Sequence, residues 1–299
     1  MITEAQRVAR NGFIGASDAA AAMGLNAHKT PYDLWLDKTG QQSVPFEGNE
    51  FTYWGNVLEP VVADRLAEET GYKLRRHGRT ITAKDYPFMG CHLDYKVTAL
   101  PTVVEIKTGG YFTKDQWGES GSDQVPDNYL IQVQHQMICT GYKQALVAVL
   151  LGGQEFRWYQ INYDADLAQL IIEKLTAFWQ YVVNRVPPPP SNNNDLRGLF
   201  PNDDGLSIEA NADVIGWLKE LDTAKTMAAN VALVIDTLEL QIKNFIGVNS
   251  AIVDSKGKPL ATWKAQTTNR IDTTQLKRDL PDIAETYTKA TSSRVLRVK

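Results

Sequence analysis

The chain has 299 residues, 43% of them hydrophobic and 22% charged, with a formal net charge of −4. That length can bury a sizeable core in one or two domains, and the composition is that of an ordinary globular protein. Only two cysteines exclude a four-cysteine zinc or iron–sulfur site, no run of about 18 apolar residues offers a membrane span, and the acidic balance leaves any nucleic-acid function resting on local positive surface and on metals. Cys91 and Cys139 lie far apart in sequence, which fits a reducing, cytoplasmic setting, and the opening MITEAQRVARNGF lacks the apolar stretch of a signal peptide.

Residues 4–10 read as a short helix ending near Asn11-Gly12. Ser17 then stands as an N-cap before an alanine run that stops at Gly24. A helix N-terminus can hold a phosphate, although the plainer reading is that Ser17 only caps a small core helix. Thr30-Pro31 opens another helix, to Thr39-Gly40, by the preference for proline in the first turn. After a polar loop over 41–49, Trp54 to Thr70 shows helical apolar spacing through Val57, Leu58, Val61, Val62 and Leu66. Glu59 falls inside that apolar band, where a charge is costly unless it is paired or bound to metal. Gly71 closes the helix, and residues 72–84 read as a strand.

The most informative stretch is Gly90 to Gly109. His92–Val97 and Thr102–Thr108 read as the two strands of a hairpin joined through Leu100-Pro101. Side chains alternate between faces, so Glu105 and Lys107 share one face while Val104 and Ile106 share the other. Asp94, on the first strand, can meet Glu105 across such a hairpin. Two carboxylates and an ammonium at one point suit a hard divalent cation with a cationic group to hold a nucleophile or phosphate. The alternative is a solvated sheet face whose Glu–Lys pair contributes well under ~1 kcal/mol.

Asn128 to Thr140 reads as a helix rich in amides, with Gln132 and Gln136 four apart on one face. Residues 144–151 form a continuous apolar run, the mark of a buried central strand. Phe156–Tyr163 reads as a further strand and Asp164–Val183 as an amphipathic helix. The sum is an α/β (α+β) core, a mixed central sheet flanked by helices, over residues 1–185. The prolines of 187–190 and the following asparagines set a linker over 186–205. From Val214 to Phe245 apolar residues step alternately by 3 and 4 without a miss, a heptad seam through more than four repeats that demands an apolar partner surface. Packing inside a C-terminal extension over 206–299 is the first expectation for it. A hairpin around Ser255-Lys256-Gly257, short helices over 273–288 and a basic strand from Arg294 to Val298 complete that extension, whose last part, 264–299, carries a net +4.

These pieces resemble, in order, the YqaJ-type viral recombinases, relatives of the phage lambda exonuclease within the PD-(D/E)XK nuclease superfamily. The resemblance is carried by Arg10-Asn-Gly-Phe-Ile-Gly-Ala-Ser17-Asp, Thr30-Pro-Tyr-Asp-Leu-Trp35, Trp54-Gly55 through Glu59-Pro60, His92-Leu-Asp94, Val104-Glu105-Ile-Lys107-Thr and Tyr129-x-x-Gln132-Val-Gln134. The first aspartate is preceded by Leu93 where the family has proline, which changes no ligand. The resemblance implies that Asp94 and Glu105, with the backbone carbonyl of Ile106, hold Mg²⁺ or Mn²⁺, with Glu59 contributing to a second ion. It implies that Lys107 orients the attacking water, Gln132 supports it, and Arg10 and Ser17 hold the 5′-phosphate of the cut strand. The implied activity is 5′→3′ degradation of linear double-stranded DNA from its ends, in phage-type recombination. The implied partners are a single-strand annealing protein and further copies of the chain, as a trimer, in a bacterial host's cytoplasm. Rival readings are an endonuclease on the same fold and a non-catalytic DNA-end or partner-binding module.

Overall fold

A computed structural model describes residues 11–41 and 48–298. The helix expected over 4–10, Arg10, and most of the loop over 41–49 lie outside the described residues. The chain divides into two compact units, Met1–Phe200 and Pro201–Lys299.

In the first unit the elements are β1 (Ile14–Gly15), α1 (Ala16–Ala22), α2 (Pro31–Thr39), α3 (Glu50–Thr70), β2 (Leu74–Thr82), β3 (Met89–Val97) and β4 (Thr102–Gly109). A 3₁₀ turn over Tyr111–Gln116 leads to α4 (Asp127–Thr140), β5 (Gln144–Leu151), β6 (Glu155–Asn162), α5 (Ala165–Asn184) and α6 (Asn193–Leu199). Strands β3 and β4 form the expected antiparallel hairpin, β4 and β5 run parallel from Thr102↔Gln144 to Gly109↔Leu151, and β6 returns antiparallel. The central β5 is buried on both faces, as its unbroken apolar run requires. Strand alternation sorts the core in two: Val103, Ala145 and Val147 pack with α1, α4 and α5, while Val104, Ile106, Leu146 and Ala148 pack against Val62, Ala63 and Leu66 of α3.

Gly90 of β3 pairs with Thr82 of β2 on one edge and with Gly15 of β1 on the other. The edge that β1 occupies at Met89 and Gly90 is therefore the edge that β4 occupies at Tyr95 and Lys96. Between them, β3 and β4 part company, and Asp94 sits where they separate.

Several local expectations change. Ser17 is not the N-cap of α1; Gly15 is, in extended conformation, because its residue pair with β3 starts the helix immediately after the strand, and Ser17 is exposed in the first turn without a capping bond. Helix α3 starts at Glu50, four residues earlier than its apolar spacing indicated, because Asn49 accepts from the Thr52 N–H. Trp54, Val57 and Val61 are exposed rather than covered. The segment 186–205 is not featureless: Asn192 caps α6, and buried Asp195 accepts from Ser191 N and, across 165 residues, from Thr30 Oγ1. Thr30 and Asp33 form the capping box of α2, so α6 is tied to that helix start.

The second unit contains α7 (Ala212–Ile246), a hairpin of β7 (Ala251–Val253) and β8 (Pro259–Thr262) with Gly257 at φ +80°, α8 (Thr273–Asp279) and α9 (Pro281–Thr286). No strand forms over Arg294–Val298. The heptad seam lies on one continuous 35-residue helix, and the packing expected for it within the extension is not found: only Ile246 of α7 is buried. Among the described residues no helix is long and apolar enough to cross a membrane.

Candidate active site

The hairpin presents Glu105 and Lys107 on the β4 face that is covered by α4. Glu105 is 3% exposed. A carboxylate buried so deeply needs every lone pair engaged. Its Oε1 accepts from Lys107 Nζ at 2.5 Å and from Gln132 Nε2 at 2.5 Å, and its Oε2 accepts from Gln136 Nε2 at 2.6 Å. The four-residue spacing of Gln132 and Gln136 on α4 aims both amides at the same carboxylate. Gln136 Nε2 also reaches the carbonyl of His92 at 3.2 Å, while its Oε1 is buried without a partner.

Asp94 is half-buried where the strands separate, and its Oδ2 accepts from the backbone N–H of Ile106 at 2.8 Å, taking the place of a ladder bond. Burial, reinforced by the negative charge of Glu105, pushes its pKa up to about 8. Burial works to lower the Lys107 ammonium, but Glu105 and Asp94 outweigh it and the pKa ends above the ordinary lysine value. The Lys107 Nζ also lies 5.1 Å from the centre of the Tyr129 ring, which stacks on Trp117 at 5.2 Å. Lys107 is thus a charged donor held by a carboxylate and an aromatic face, with 19% of its side chain still exposed.

Asp94, Glu105, Lys107 and Gln132 are brought together as a cluster. Glu59 is placed differently. It lies on α3, its charge adds to the rise of the Asp94 pKa, but its own Oε1 accepts from Arg76 Nη2 of β2 at 2.6 Å. Among the described residues no three His, Cys, Asp or Glu side chains form a metal-binding group. Gln136 and Tyr129 were not singled out as site residues. The i, i+4 partnership with Gln132 is the available signal for Gln136; Tyr129 opens one of the motifs that carry the resemblance, but its place beside Lys107 depends on contacts across the fold.

The donor set fits a hard divalent cation. Asp94, Glu105 and the Ile106 carbonyl offer only oxygen, and burial, reinforced by the charge of Glu105, favours a proton on Asp94 that a cation would displace.

Residues 7–143 match the YqaJ-like viral recombinase domain. Over 300 aligned residues the chain is 30% identical to the uncharacterized protein YqaJ of Bacillus subtilis (strain 168), covering 98% of this chain and 92% of that one. The chain belongs to the YqaJ-like viral recombinase family. An alkaline exonuclease from Laribacter hongkongensis superposes with a TM-score of 0.51 at 22% identity, over 62% of this chain and 94% of that one. A phage-related exonuclease from Haemophilus somnus 129PT superposes with a TM-score of 0.45 at 16% identity, over 58% and 95%. The first of these likenesses shows the fold alone: a mixed central sheet flanked by helices, as in that exonuclease.

Proposed function

We propose that this chain is a metal-dependent DNA exonuclease that degrades linear duplexes 5′→3′ and leaves 3′ single strands for phage-type recombination by annealing. The observation that carries the reading is the grip of Lys107, Gln132 and Gln136 on a buried Glu105 beside a raised-pKa Asp94, in a chain of this family. Asp94, Glu105 and the Ile106 carbonyl are the residues to hold Mg²⁺ or Mn²⁺, with Glu59 available to a second ion once Arg76 releases it. Such an ion, when bound, acidifies a water and neutralises charge on the phosphate. Lys107 donates toward the attacking oxygen or a phosphate oxygen, and its raised pKa keeps it a cation through neutral pH. Gln132 and Gln136 hold the Glu105 carboxylate in one orientation, so its charge points where the reaction needs it. Arg10 and Ser17 are proposed to hold the 5′-phosphate; exposed Ser17 lies two residues after β1, the strand that shares an edge of β3 with β4. An annealing protein, a trimeric assembly and the cytoplasm of a phage-infected or prophage-bearing host follow from the same reading.

The experiment is digestion of 5′-phosphorylated and 5′-hydroxyl linear duplex beside a covalently closed circle, all with Mg²⁺. The expected result is rapid loss of the 5′-phosphorylated duplex, slower loss of the 5′-hydroxyl one, and an intact circle. A cut circle would replace the exonuclease with an endonuclease on the same fold. No hydrolysis of any substrate would leave a non-catalytic DNA-end binder.

A further inference from the structure

Helix α7 carries its apolar residues on the outside. Trp217 is 64% exposed, Ile235 50%, Leu238 52% and Phe245 78%. So large an apolar surface along one helix marks an interaction site. The spacing says what kind of partner it takes. A 3.5-residue repeat drifts by about 20° per heptad around a straight helix, so over more than four heptads the stripe winds too far for a flat surface to follow. Another helix, supercoiled with it, can follow it throughout.

We infer that α7 pairs antiparallel with α7 of a second copy of this chain, on a two-fold axis that passes between residues 229 and 230. In an antiparallel pair each a position meets a d position, and the seam then closes on itself from end to end. Ala224 meets Ile235, and Ala228 meets Val231, so the two small residues of each helix are filled by β-branched ones. Leu221 meets Leu238, and Trp217 meets Ile242. Setting each alanine against a β-branched residue evens out the layers more than a parallel pairing does, which lets the two axes run closer together beside the alanines. Along the flanks Glu220 faces Gln241 and Lys225 faces Ala232, so no like charges are opposed. A parallel pair would set Trp217 on Trp217 and, two layers on, Ala224 on Ala224, leaving voids beside the alanines. In exchange it gains only a solvent-exposed Glu220–Lys225 contact, which contributes little.

The test uses the full chain and light-scattering mass. Ile235→Glu with Leu238→Glu, inside the seam, is expected to halve the native mass, from hexamer to trimer if the chain also assembles as the proposed trimer and from dimer to monomer if it does not. Leu233→Glu with Leu240→Glu, on the opposite side of α7, is expected to leave it unchanged. Orientation is read by oxidative cross-linking, with native Cys91 and Cys139 buried and out of play. Leu221→Cys and Leu238→Cys together are expected to give a disulfide-linked dimer, and neither alone, because the two sites are about 25 Å apart on one helix. A mass that the seam variant leaves unchanged, or a dimer from Leu221→Cys alone, overturns the assignment.

Discussion

Replacing Lys107 with alanine is expected to slow phosphodiester hydrolysis by on the order of 10³-fold, the scale seen when one preorganised charge-stabilising donor is lost. The fold is expected to survive, because Glu105 keeps the amides of Gln132 and Gln136 and the Lys107 side chain is partly exposed. Glu105→Ala is expected to be at least as inactive, with an added stability cost of about 1–3 kcal/mol from leaving buried donors unsatisfied. The two variants together separate the ammonium's role in chemistry from the carboxylate's role in both chemistry and packing. The measurement is initial-rate nucleotide release from linear duplex in Mg²⁺, with duplex binding followed separately by anisotropy and expected to remain within a few-fold of the parent's. Near-normal hydrolysis by either variant removes the site.

Asp94→Asn is expected to be inactive and, without metal at pH 8.5, more stable than the parent by about 1–3 kcal/mol. In the unfolded chain this carboxyl titrates near 3.9, whereas the folded pKa is pushed up to about 8 by burial and by Glu105. Between those values the folded state binds the extra proton, so the parent loses stability as pH rises through the window and is weakest above it. Asparagine mimics the protonated form and still accepts from the Ile106 N–H, so it escapes the loss. The gap between variant and parent is therefore expected to close as pH falls toward 4. Adding Mg²⁺ reverses the order, because a ligand at 100 times its Kd stabilises its binder by about 2.7 kcal/mol and the variant lacks a ligand. Thermal melts at pH 4.5 and 8.5, in chelator and in Mg²⁺, check all of this. Equal gains from Mg²⁺ in both proteins contradict it.

The site was legible where local geometry carries it. A period of two puts Glu105 and Lys107 on one face, and a step of four puts Gln132 and Gln136 on one side of a helix; both survive folding because they are properties of a single element. Glu59 was harder. Of its apolar band, Trp54, Val57 and Val61 are exposed while Val62 and Leu66 are buried, and its own half-buried carboxylate is paired with Arg76 of β2, a partner that spacing on one helix does not reveal. Sequence spacing reports which residues share a face, not which face is covered. The bond from Thr30 to Asp195 makes the same point from the other side: asparagines that resist regular structure in isolation start a helix here, capped by Asn192, with its Asp195 anchored by a threonine hydroxyl 165 residues away. The exposed seam of α7 is a third case, where the periodicity marks a face that the extension itself does not cover.

The central claim is that a divalent cation sits between Asp94 and Glu105. The most direct test is an anomalous difference map from manganese-soaked crystals of a preparation that cuts DNA. The account predicts a peak bonded to both carboxylates and to the Ile106 carbonyl, with Lys107 beside it. Manganese bound elsewhere, with those two carboxylates still joined only by their protein partners, contradicts it.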